Sequence, residues 1–312
     1  MRPVYFALVA LCAACSLYRG DDLEVEGEHF QYVVSELRIP TSNAMARTSA
    51  LDLNGDKIAD NQLGEVFGAL AVQGLGVGET ARESLLRGGL IMLADLQTTS
   101  FASTGDTGIT GFTTFLGGDP SPAPCTDPGD LATCGQHLHG TGSFSVDAST
   151  TSDLAAGAVD KATFEAAIGQ MPVEIVVDQL PLRLVLRHAR VRLTAISADH
   201  ISAIFAGGIT SGDVDGVVIP EAAAQIQRIV ATECGQPGGD PPCGCVRGSR
   251  ARLLADLFDT SPRNCEITVA EVHDSSLVQS LLAPDLELGK GQLLSFGVSV
   301  ELARATFQPP LP

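Results

Sequence analysis

Leu294-Ser295-Phe296-Gly297-Val298-Ser299-Val300-Glu301-Leu302 alternates apolar and small or polar residues without a break. Successive side chains of a strand point to opposite faces, so this period of two specifies a strand with one face buried. A lone strand has nothing to bury that face against, and the segment is expected to join a main sheet. Upstream, Leu182, Leu184 and Leu186 put apolar residues at even positions, whereas Ala189, Val191, Leu193 and Ala195 put them at odd ones. The phase flips near Arg187-His188, which predicts a turn or a bulge. Further short apolar runs at 143–146, 162–167, 173–177 and 201–205, separated by turn residues, complete the pattern of a meander. The expected fold class is α+β, an antiparallel β-meander sheet packed with a few short helices.

The flanks supply the helices. Residues 30–39 are strand-like and end at Pro40; Leu63, Val66, Phe67 and Leu70 have helical spacing, as do the residues around Leu85 and Leu86, with Gly88-Gly89 as a stop. Residues 90–96 form an apolar run short enough for a buried strand. Residues 98–140 are rich in Thr, Gly, Pro and Asp, and predict a long ordered surface loop around one strand at 109–116. Pro220 opens a helix over 221–230, and Ser249 opens another with Leu253, Leu254, Leu257 and Phe258 on one face. Thr268 and Glu271 have capping-box spacing. One domain over 30–308 results, with parts 30–97, 98–140, 141–218 (the meander) and 219–308.

Composition bounds the partners. In 312 residues, 19 Lys and Arg stand against 37 Asp and Glu, a formal charge of −18. Such a chain repels phosphate, so a nucleic-acid partner is excluded, as is electrostatic attachment to anionic lipid. With 45% apolar residues it has ample material for a core.

Met1-Arg2-Pro3 precedes an apolar run at 4–14, too short for the ~20 residues that span a bilayer. Residues 1–14 read as a signal peptide. The next stretch, Leu11-Cys12-Ala13-Ala14-Cys15, resembles the lipobox of bacterial lipoproteins, with Cys12 where Leu is usual. The resemblance implies that Cys15 is lipidated, and Ser16 after it favours the outer membrane; the alternative is an ordinary secretory signal cut after Ala14. Asp21, Asp22, Glu24, Glu26 and Glu28 make 15–29 an acidic tether, so the acyl chains alone hold the anchor. Beyond Cys15 lie Cys125, Cys134, Cys234, Cys243, Cys245 and Cys265, an even set that predicts three disulfides in an oxidising compartment. Cys125 and Cys134 bracket a turn and are expected to pair. The other four leave two pairings open once the cramped Cys243–Cys245 bridge is set aside. Zinc at Cys243-Gly-Cys245 is the weaker reading, because structural sites use wider spacing.

Asp52-Leu53-Asn54-Gly55-Asp56-Lys57-Ile58-Ala59-Asp60 carries the sharpest chemical signal. Side-chain oxygens at Asp52, Asn54, Asp56 and Asp60, with the Ile58 carbonyl, can converge on one hard cation of Ca²⁺ size. The stretch resembles the calcium loops of dockerin, EF-hand and FG-GAP proteins. Lys57 stands where those loops use Gly, and Leu63 where EF-hands place a carboxylate. The alternative is an Asx-rich turn leading into a helix capped by Asp60 or Asn61. A poorer echo at 258–271 reads as a loop stapled by Cys265. His137-Leu138-His139 would put two imidazoles on one side of a surface strand, while His29, His188, His200 and His273 read as structural. Arg183, Arg187, Arg190 and Arg192 are expected to pair with Glu174, Asp178 and other carboxylates on the solvent face. Nucleophile-elbow, P-loop and dinucleotide fingerprints are absent from the sequence.

Lipobox, acidic loop and closing strand together resemble uncharacterised calcium-loop lipoproteins of Gram-negative bacteria, a group that implies no activity. The leading expectation is a non-enzymatic, membrane-anchored envelope or surface protein with one structural Ca²⁺ and a protein partner. An alternative is a carrier holding a lipid or other apolar ligand between sheet and helices, and a third is a hydrolase of envelope polymers using scattered carboxylates.

Overall fold

The computed structural model describes residues 24–72, 77–101, 108–177, 180–235, 237–260, 262–289 and 291–309. The signal segment, Cys15, the start of the tether and Asp178 lie outside the described residues. The elements run β1 (Glu28–Arg38), α1 (Asn43–Thr48), α2 (Gln62–Val72), α3 (Val77–Leu86), β2 (Met92–Thr98), β3 (Thr110–Ser121), β4 (Gly142–Asp147), β5 (Ala155–Gly157), β6 (Val159–Asp160), β7 (Thr163–Val177), β8 (Leu180–Thr194) and β9 (His200–Thr210). They continue with α4 (Ser211–Asp213), α5 (Ile219–Glu233), α6 (Arg250–Phe258), α7 (Val269–His273), α8 (Ser276–Leu281), β10 (Leu286–Leu288) and β11 (Gly291–Thr306).

The class is α+β, but the sheet is mixed and not a pure antiparallel meander. β11, the closing strand read from the alternating pattern, pairs antiparallel with β9 along Leu293–Ala303 and with β1 over Ser299–Arg304. Its far end, Ala305–Thr306, runs parallel to Gly142–Ser143 of β4. β1–β2, β2–β3, β3–β4, β4–β11 and β11–β1 therefore close a ring of five strands, from which β9, β8, β7 and β6 extend as the meander. A parallel pair between segments so far apart in the chain leaves no trace in local periodicity, which is why the pattern alone missed it.

Runs expected as four short strands are halves of two long ones, β7 and β8, paired with register shifts at Ala167–Gln170 and, on the β9 side, between Arg187 and Arg190. Gly169 has φ +84 and His188 φ +48. The phase flip at Arg187-His188 is thus a bulge, which turns the strand without ending it. Within 98–140 the expected strand at 109–116 forms and runs on to Ser121. β3 is a twelve-residue strand with neighbours on both sides, β2 on one and β4 and β5 on the other.

Rings from β3 meet rings of β9 and of the residue that follows β11, neither of them its neighbour in the sheet. Phe112 of β3 and Phe205 of β9 have centroids 6.1 Å apart, and Phe115 of β3 meets Phe307 at 5.8 Å. α2 packs on β11, with Phe67 edge-on to Phe296, while α3 reaches both β1 and β7. Gly88 and Gly89 stop α3, their N–H groups donating to the Leu85 and Ser84 carbonyls. Ser249 caps α6, and both halves of the Thr268–Glu271 capping box form. On α6 the buried stripe is Ala251, Leu254, Ala255 and Phe258, the i, i+3, i+4, i+7 spacing of one helix face, so Leu253 and Leu257 face solvent, contrary to the expected single face. Among the described residues no helix is long and apolar enough to cross a membrane.

Candidate functional site

The acidic loop is closed at its base by a bridge between Leu51 and Asp60. Leu51 and Leu53 anchor it by burial with Ala206, Leu286 and Leu293, whereas Ile58 is exposed. Inside the loop, carboxylates and amides accept from the loop's own backbone. Asp52 accepts from the N–H groups of Gly55 at 2.6 Å and Lys57 at 2.8 Å, Asn54 from Asp56 at 2.9 Å, Asp56 from Ile58 at 2.7 Å, and Asp60 from Leu53 at 2.7 Å. Lys57 adopts φ +72, the left-handed turn that calcium loops usually assign to Gly. Arg190 of β8 donates to the Asp52 carbonyl at 2.6 Å and ties the loop to the sheet.

Two carboxyls in the loop titrate away from their ordinary values. For Asp52, partial desolvation pushes upward, but the N–H groups of Lys57 and Gly55 and the Arg190 charge outweigh it and hold the group low. Asp60 is pushed up by burial, and the charges of Asp56, Asp285 and Asp52 add to that against the single Leu53 N–H. The donor types suit a hard cation. The carboxylates of Asp52, Asp56 and Asp60 are nevertheless spread along the turn: among the described residues, the one cluster of three metal-ligating side chains with donor atoms within 4.8 Å is Cys243, Asp259 and Cys265.

Asn61, next in sequence, does more than cap. Its Oδ1 accepts from Gly64 at 3.0 Å, the cap of α2, and from Gly297 of β11 at 2.8 Å, while Nδ2 donates to the Ala46 and Gly297 carbonyls at 2.9 Å each. The strand must be Gly at 297, because a Cβ there would lie 2.3 Å from the Ser49 carbonyl oxygen. Asp285 is held beside this junction by Ser295, whose hydroxyl also accepts from the Gln62 N–H at 2.7 Å.

The cysteines pair as Cys125–Cys134, Cys234–Cys245 and Cys243–Cys265, which fixes the connectivity the sequence left open. Sulfurs joined in a disulfide are not thiolate ligands, so the Cys243–Asp259–Cys265 cluster is a staple. Asp259 is buried and accepts from the N–H groups of Asn264 and Cys265, as a stapled loop requires.

His137 and His139 do not share a strand face. They lie in and just after a 3-10 turn, Gln136–Leu138, with His137 buried and His139 exposed. Long-range histidine pairings escaped the sequence: His29 Nδ1 lies 2.7 Å from Asp95, 66 positions away, and His200 Nε2 lies 3.0 Å from Glu301. Burial raises the Asp95 carboxyl, the His29 bond opposing it, and its second oxygen has no partner. Three of the four arginines of the stretch pair with carboxylates: Arg183 with Glu174 directly across the strands at 3.0 Å and with Asp147, and Arg190 and Arg192 with Glu165.

Two prominent depressions, of about 440 and 600 Å³, are open and partly polar. The first lies between β4 and the end of β11, the second at the start of α6. Phe112, Phe205, Phe296 and Met171 are fully buried in the core, Phe296 against Phe67 of α2. Comparison with protein-family models, with curated proteins and with solved structures yields no match.

Proposed function

We propose that this chain is an exported, lipid-anchored envelope or surface protein without catalytic activity, whose disulfide-stapled domain carries one structural Ca²⁺ and makes contact with a protein partner. The observation that supports it best is the cysteine usage: the six cysteines beyond the N-terminal segment are joined in three disulfides, the chemistry of an oxidising compartment. Cys15 is the anchor, and the acidic residues after it keep the domain off an anionic surface.

The ion belongs in the Asp52–Asp60 loop, held by Asp52, Asn54, Asp56 and Asp60 and by the Ile58 carbonyl. What supports this is the field at Asp60, where the charges of Asp56, Asp285 and Asp52 all act on one half-buried carboxyl. A divalent cation relieves that repulsion, and it acts as structural reinforcement of a loop already tied to the sheet by Arg190.

The anchor is tested by expressing the full chain and Cys15→Ser in a Gram-negative host with a labelled fatty acid. The wild type is expected in the membrane fraction and labelled, the variant soluble and unlabelled. Equal partition of the two, or a wild type without label, overturns the proposal.

A further inference from the structure

Among the described residues, His137 is a buried ring that the fold leaves without a partner on either nitrogen. It is fully buried in the 3-10 turn Gln136–Leu138, and neither ring nitrogen makes a hydrogen bond of normal geometry. Its ring stands edge-on to Phe144 of β4, centroids 6.0 Å apart. A buried imidazole without partners is tolerated while neutral and becomes costly once charged.

The segment around it is thinly tied to the rest of the molecule. Gly135 donates to the Leu86 carbonyl at the end of α3 at 3.0 Å, and the Arg87 guanidinium donates to the Pro128 carbonyl at 2.6 Å. Gln136 donates to the Pro124 carbonyl, within the segment itself, and the Cys125–Cys134 disulfide closes the loop on itself without joining it to α3. Apolar packing of His137 and Leu138 supplies the remaining hold.

Among the described residues, no carboxylate charge acts on the ring. On α3, Glu83 is paired with Arg87 at 2.8 Å. On β1, Glu36 is paired with Arg38, also at 2.8 Å. β4 carries Asp147 at its far end, bonded to Ser149 and near Arg183. Within the segment itself, His139 lies two residues on, and its charge opposes a second one on His137. Only the Leu85 backbone carbonyl favours an imidazolium there.

We propose that His137 is an acid-sensitive latch: its neutral ring seals the Cys125–Cys134 segment onto α3 and β4, and protonation releases that segment locally and uncovers Leu138 and Phe144. Burial, chiefly, holds the ring below the ordinary histidine range, with the Leu85 carbonyl opposing it and the charge of His139 adding to it. The released ring takes its proton near the ordinary value of about 6.5, so the seal is intact above that pH and weakens as pH falls below it.

Hydrogen exchange over residues 124–140, corrected for the intrinsic pH dependence of exchange, reads the latch directly. Between pH 7.5 and 5.5 the wild type is expected to lose about tenfold in protection there, the opening equilibrium gaining about a factor of ten for each pH unit below 6.5. His137→Leu is expected to keep its protection over the same range. An equal acid-induced loss in the variant, or an unchanged wild type down to pH 5, overturns the latch. Should the variant not fold, ring NMR of the wild type decides: His137 must titrate below pH 6.5 together with the loss of protection, and a midpoint at or above 6.5 is fatal to the idea.

Discussion

Asn61→Ala tests the junction that joins the loop, two helices and the closing strand. The wild-type side chain is buried and serves Gly64, Ala46 and both backbone groups of Gly297. Losing the α2 cap costs about 1 kcal/mol. Leaving the buried Gly297 N–H, the Gly297 carbonyl and the Ala46 carbonyl without that partner adds roughly 1 kcal/mol each. The sum is about 4 kcal/mol, a large share of the 5–15 kcal/mol typical of a folded domain. Asn61→Asp separates the effects. It retains Oδ1 for Gly64 and Gly297 but sets a charged oxygen against the Ala46 and Gly297 carbonyls, which raises the folded-state carboxyl above its unfolded value. The sign follows: the variant is weakest at neutral pH and regains stability as pH falls through that raised value, when the protonated carboxyl donates to one carbonyl. Urea unfolding followed by circular dichroism measures both. An Asn61→Ala loss under about 1 kcal/mol at unchanged m, or an Asn61→Asp variant as stable as wild type at neutral pH, refutes the reasoning.

Two further outcomes are expected. If Ca²⁺ occupies the acidic loop, millimolar Ca²⁺ raises the melting temperature over chelator in the wild type, and Asp56→Ala abolishes the difference. Lys57→Gly, which relaxes the φ of +72 and removes a positive charge, should enlarge it; identical melts in all three chains dispose of the site. Replacing Cys243 and Cys265 together by Ala opens a loop of sequence separation 22 and should cost about 3 kcal/mol in urea unfolding, and a loss below about 1 kcal/mol would show that packing around Asp259 already holds that loop.

Much of the local structure was legible. The period-two pattern located β11, the helical spacing located α2, and Ser249, Thr268 and Gly88-Gly89 marked helix ends that the structure forms as expected, because each depends on atoms within a few residues. The phase flip at Arg187-His188 announced a discontinuity. Only the pairing with β7 and β9 made it a bulge, since a turn and a bulge invert the alternation alike and differ only in whether the neighbouring strands continue. On α6 the four large apolar residues suggested one face, yet the buried stripe takes in Ala251 and Ala255 beside Leu254 and Phe258, and two leucines remain outside.

The candidate sites divide along the same line. The acidic loop, the even number of cysteines and the excess of carboxylates are properties of the chain itself, and so are the expectations of export and of a hard cation. Which sulfur meets which, that Asn61 reaches Gly297, that His29 meets Asp95 and that His137 ends up sealed without a partner were decided by tertiary structure alone. Hydrogen bonds and disulfides act over a few ångströms of space, and residues 236 or 66 positions apart reach that range only when α2 has packed on β11 and β1 has paired with β2.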